Sequence, residues 1–99
     1  MDKARLKIYS LNMKHENMST LIHDYRMINR KTQSWVSKKM GYKTSQFISN
    51  CERGICTFPV KKMRKLSKLL GINPELLVSA YIADLTEELK REVLGYGKK

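Results

Sequence analysis

Between Gln33 and Gly54 the chain reads QSWVSKKMGYKTSQFISNCERG, two short apolar stripes interrupted at Gly41, Tyr42 and Lys43. Trp35, Val36, Lys39 and Met40 set apolar groups on one face of a helix that Gly41 can close in the left-handed conformation. After the break, the hydroxyl of Thr44 or Ser45 can cap a second helix, with Phe47, Ile48 and Cys51 as its apolar side. Gly54 stops that helix. The pattern predicts helix, turn, helix.

The opposite face of the second helix carries Ser45, Gln46, Ser49 and Asn50, polar and uncharged, between Lys43 and Arg53. Glutamine and asparagine amides present a donor beside an acceptor, which suits the N6/N7 edge of adenine in the major groove, and serine serves as either partner. Lys43 and Arg53 suit phosphates.

Charge points the same way. The 99-residue chain holds 20 Lys and Arg against 9 Asp and Glu. The excess is uneven: residues 32–72 contain nine basic side chains and one acidic, whereas residues 73–99 contain four and five. A polyanion meeting the central segment would release counterions, giving salt-sensitive binding. At this length one modest core is expected and no enzyme-sized cleft. No apolar run is long enough to cross a bilayer and the N-terminus lacks the apolar centre of a signal peptide, so a cytoplasmic, nucleoid-associated protein with reduced thiols is expected. Cys51 and Cys56 are too few for a four-ligand zinc site, and no cofactor is expected. Packing is their first role; a redox response is the alternative, since changing a thiol beneath the second helix would disturb its docking.

The remaining helices follow from caps and periodicity. A first helix should begin near Met18 or Ser19, with Ser19 as cap, and run to about Asn29, burying Leu21, Ile22, Tyr25 and Ile28. Asp24, Asp84 and the glutamates are expected on helix surfaces. After the loop Ile55 to Phe58, a fourth helix should run from about Pro59 to Leu70 with Met63, Leu66, Leu69 and Leu70 inward. Asn73-Pro74-Glu75 is a helix start by three criteria: a capping residue, proline at the first position and an acid in the first turn. The fifth helix should reach about Leu94, before Gly95 and Gly97. Leu76, Leu77 and Ala80 can close the core. Val78, Ile82, Leu85, Leu89 and Val93 continue an apolar stripe that needs a partner, either the N-terminal segment or a second copy of the chain. Residues 1–16 fit three readings: a disordered basic arm, a strand, or an extra helix. Three parts result: residues 1–17, the basic arm or extra element; 18–77, the helix-turn-helix domain; and 78–99, the extended C-terminal helix and tail.

The positions of Arg26, Thr32-Gln33, Gly41, Ile48-Ser49, Glu52-Arg53-Gly54, Pro59 and Leu70-Gly71-Ile72 resemble the lambda-repressor/Cro-like (XRE) family of bacterial and phage DNA-binding proteins. The resemblance spans roughly residues 20–77, with a turn at Gly41 to Thr44 one residue longer than in the tightest members. It implies an all-α, five-helix helix-turn-helix domain, here with a long C-terminal helix and an extra N-terminal segment. It also implies that Arg26 pairs with Glu52, that Gln33 holds the DNA backbone and braces Gln46, and that Lys61 and Lys62 lie beside phosphates. Gln33 opens a helix, where free N–H groups favour an anion in any case.

The expected function is therefore a sequence-specific regulator of transcription, a repressor by first choice, binding double-stranded DNA as a homodimer. Ser45, Gln46, Ser49 and Asn50 would read bases; Gln33, Lys43, Thr44, Arg53, Lys61 and Lys62 would hold the backbone. The alternative is an antitoxin or adaptor whose C-terminal stripe binds a partner protein. An RNA reader on the same fold lacks an evident stacking surface. No nucleophile–base pair, carboxylate pair or phosphate loop marks an enzyme.

Overall fold

The computed structural model describes residues 17–95. The three readings of residues 1–16, and Gly97 as a helix-releasing residue, lie outside the described residues. Within them the chain is a compact all-α domain of five helices with no strand. They are α1 (Met18–Ile28), α2 (Gln33–Met40), α3 (Gln46–Glu52), α4 (Met63–Leu70) and α5 (Pro74–Leu89). Among the described residues no helix is long and apolar enough to cross a membrane.

The cap of α1 is Asn17, not Ser19. Asn17 Oδ1 accepts from the Thr20 amide at 2.8 Å and from Ser19 Oγ at 2.7 Å. The Asn17 side chain, two residues before Ser19, satisfies the free amide of Thr20, and Ser19 becomes a donor to the cap rather than the cap itself. Met18, Leu21, Ile22 and Tyr25 are buried on α1. Asp24 is buried as well, at 2% exposure, against the expectation of a surface acid. It lies three residues after Leu21 and directly before Tyr25, inside the apolar arc that helical geometry turns toward the core.

Thr32 caps α2 by accepting from the Trp35 amide at 3.0 Å. Val36 and Met40 are buried, whereas Trp35 sits at the rim with the ammonium groups of Lys31 and Lys39 over its ring at 4.4 and 5.6 Å. Gly41 closes the helix at φ 92°, which lets the Tyr42 amide reach the Ser37 carbonyl at 2.8 Å. A connection through residue 45 leads into α3, whose Ile48 and Cys51 are buried. Phe47 is half-buried between the rings of Tyr42 and Phe58, with centroids 4.7 and 6.2 Å away.

Phe58 is a core residue on a loop, 1% exposed. Pro59 holds an extended backbone at ψ 131°, so the regular fourth helix begins later than Pro59. A tight turn over Val60–Lys62 comes first, closed by Lys62 N–H to the Pro59 carbonyl at 3.1 Å, and α4 starts at Met63. Leu66 and Leu70 are buried; Met63 and Leu69 pack against the core at its edge. Asn29 Nδ2 donates to the Tyr25 carbonyl at 2.6 Å and to the Leu70 carbonyl at 2.8 Å, joining the C-terminal ends of α1 and α4.

Asn73 accepts from the Glu75 amide at 2.9 Å and Pro74 opens α5, which buries Leu77 and Ala80. The helical path continues past Leu89 as a wider π turn over Lys90–Leu94 that ends at Gly95. Near its middle, Asp84 Oδ2 accepts from the Met18 amide at 3.1 Å, fastening α5 to the start of α1.

Gly41→Ala should cost about 1–2 kcal/mol, from the left-handed backbone alone, because a Cβ there meets nothing within 4 Å. Urea unfolding with helix content monitored should show the loss in midpoint without loss of native helicity.

Candidate nucleic-acid interface

Ile48 and Cys51 anchor α3 in the core, and this sets which side faces out. Gln46 is exposed, while Ser45, Ser49 and Asn50 are half-buried along the other side. Ser45 occupies the cap position without making a capping bond; the Thr44 hydroxyl accepts from the Gln46 amide instead, at 3.3 Å. Asn50 Oδ1 accepts from Gln46 Nε2 at 2.9 Å and from Arg53 Nη2 at 2.6 Å. Side chains at i, i+4 and i+7 thus form one linked polar row on the outer face. In this arrangement the Asn50 amide nitrogen and the Gln46 carbonyl oxygen are the groups without partners inside the row.

Beneath the end of α3 lies Glu52, the one acid of residues 32–72, with its side chain only 5% exposed. Arg26 holds it in a two-pronged pair, Nε to Oε2 at 2.6 Å and Nη2 to Oε1 at 2.9 Å. Gln33 Nε2 donates to Oε1 at 3.0 Å, and His23 Nδ1 is 3.1 Å from the same oxygen. Arg26 Nη1 also donates to the Lys31 carbonyl at 2.9 Å. Burial by itself would push the Glu52 carboxyl up, but the bonds from Arg26, Gln33 and His23 and the Arg26 charge outweigh it and hold the carboxyl below its usual value.

One expectation about these residues changes. Gln33 turns to Glu52 and does not brace Gln46, because a buried carboxylate is the stronger acceptor within its reach. His23, half-exposed at the edge of the cluster, adds its Nδ1 to the same carboxylate. Its signal was its position one helical turn before Arg26, on the same face of α1.

The basic candidates divide by surroundings. Lys43, Arg53 and Lys61 are exposed. Lys62 is half-buried, with Nζ 4.1 Å from the Tyr42 ring and 3.5 Å from the Met40 carbonyl, so its charge sits at the C-terminal end of α2. Val78, Ile82, Leu85, Leu89 and Val93 are each between 43% and 73% exposed, and none of them joins the core. Among the described residues no group of three or more His, Cys, Asp or Glu side chains could hold a metal ion.

Removing Arg26 should leave Glu52 buried beside weaker partners. Arg26→Met is expected to cost about 3 kcal/mol at neutral pH. The depressed carboxyl contributes its full stabilisation above the ordinary value of 4.5 and loses it as the pH falls through the lower value of the folded state. The gap between parent and variant should therefore narrow in acid, which denaturant titrations at several pH values would measure. No family model, curated protein or solved structure matches this chain.

Proposed function

We propose that this chain is a sequence-specific, double-stranded DNA-binding transcriptional regulator of bacterial or phage type, acting as a repressor, with α3 laid in the major groove. The observation that carries the reading is the division of α3. Its apolar side is sunk in the core, and its outer side offers an uncharged row of Ser45, Gln46, Ser49 and Asn50 flanked along the chain by the exposed Lys43 and Arg53. Uncharged amides can discriminate base edges by hydrogen bonding, while the surrounding cations supply affinity without sequence. The Arg26 pair keeps Glu52, the one acid of residues 32–72, from repelling phosphates. The motif resemblance to the lambda-repressor/Cro-like family supports the same reading, and occupying a promoter is enough to exclude polymerase from it.

The working unit is a homodimer joined through α5. At 100° per residue, the Val78 to Val93 stripe falls on the side of the helix away from Leu77 and Ala80, and among the described residues nothing buries it. Contiguous apolar surface of this kind marks an interaction site. A second copy is the occupant that also brings a second reading helix, able to address a half-site about 34 Å along the duplex.

Selection from random duplex DNA at physiological salt tests both statements. An enriched inverted pair supports the dimeric reader, and a single enriched half-site removes the symmetric dimer. Retention without enrichment, lost as salt rises, defeats base readout. On a selected site, Gln46→Ala or Asn50→Ala should each cost about 1–3 kcal/mol and relax the preference at one position. Lys61→Ala should instead weaken all sequences alike and lower the salt slope by about one. Ile82→Glu with Leu89→Glu should give a monomer by sedimentation equilibrium with helix content retained; a dimer that persists would place the interface elsewhere.

A further inference from the structure

Cys51 and Cys56 approach to 3.6 Å between sulfur atoms, one at the end of α3 and the other on the loop that follows. Both line a cavity of about 310 Å³, together with Asn17, Ser19 and Thr57. Cys51 is buried and Cys56 half-buried. We propose that this dithiol is a redox modification site, joined by a reversible intrachain disulfide when a peroxide enters the cavity. The inference stands on the geometry of the two sulfurs and does not depend on the DNA-binding reading.

A disulfide brings sulfurs to about 2.05 Å, so the pair must close by roughly 1.5 Å. The segment that has to yield is short and ends at the exposed residues Gly54 and Ile55, whereas the Cys51 end is fixed in the core. Cys56 is the more accessible of the two sulfurs and so meets peroxide first, while burial, the hydrogen bond with Cys56 and the nearby charges push the buried Cys51 thiol up to about 12.

The Cys56 thiolate, having released its proton, attacks one oxygen of hydrogen peroxide. The O–O bond breaks, Cys56 becomes a sulfenic acid, and the departing hydroxide takes up the proton as water. Cys51 sulfur then attacks the sulfenic sulfur; the S–S bond forms, the S–O bond breaks, and hydroxide leaves with the Cys51 proton as a second water. The two thiols are oxidised by two electrons and the peroxide is reduced by two. A small-molecule dithiol reverses the bond by exchange. The bond would tether the C-terminal end of α3 to the loop that delivers Phe58 to the core.

The test is to treat the dilute full chain with hydrogen peroxide, block remaining thiols with an alkylating reagent, and measure intact and tryptic masses. Cleavage after Arg53 separates the two cysteines, so the bond should appear as the peptide 44–53 linked to the peptide 54–61. The expected intact species is a monomer lacking two hydrogens, carrying no alkyl group and restored by dithiothreitol. Cys56→Ser, which spares the buried sulfur, should abolish the linked peptide and leave Cys51 alkylatable after unfolding. Two alkylated cysteines after peroxide, sulfinic acids without a linked peptide, or disulfide only between chains would each overturn the proposal.

Discussion

The carboxylate of Glu52 is the point on which three helices agree. It ends α3, and it receives Arg26 and His23 from α1 and Gln33 from the first turn of α2. A buried charge without such partners would be expensive, so the donors and the acid constrain one another's positions. Because Arg26 is two-pronged and itself tied to the Lys31 carbonyl, the cluster orients α3 about its axis as well as holding it close. Core packing alone tolerates small rotations of a seven-residue helix. Four hydrogen-bonded contacts to one carboxylate tolerate much less.

That orientation decides what α3 shows to the outside. With Ile48 and Cys51 inward and Phe47 clamped between Tyr42 and Phe58, the polar row from Gln46 to Arg53 has one direction left to face. The row is internally bonded through Asn50 Oδ1, so its side chains are partly arranged before any partner arrives, which lowers the entropy of ordering them. The neighbouring cations are also held in different ways. Lys62 is settled over Tyr42, while Lys43 and Lys61 extend into solvent, where a long stem can follow an irregular anion.

At the other end of the domain, α5 serves two surfaces. Its first half closes the core through Leu77 and Ala80, and the bond from the Met18 amide to Asp84 fixes its middle against α1. Beyond that bond the helix projects with little of the domain beneath it, and its exposed aliphatic side chains lie on the far side. Among the described residues the interior is thus finished well before the helix ends.

Much of this was legible in the residues. Glycines at 41, 71 and 95 marked helix ends because a left-handed residue costs other side chains energy, and Asn73-Pro74-Glu75 announced α5 through local capping chemistry. The apolar periods located the stripes of α1, α3 and α4 and the exposed row on α5. Local signals failed where partners are distant in sequence. Phe58 lies on a loop without periodicity, and only the space left between α3 and its neighbours makes it core. Asp24 and His23 carried only the weak signal of helical position, Gln33 gave no sign that it would turn to Glu52, and the two cysteines no sign that their sulfurs lie 3.6 Å apart. What the sequence by itself determined was helices, their ends and their apolar faces, because those depend on interactions a few residues apart. Which polar groups meet, and which sulfurs lie within reach of a bond, was decided only when packing brought separate helices and the loop together.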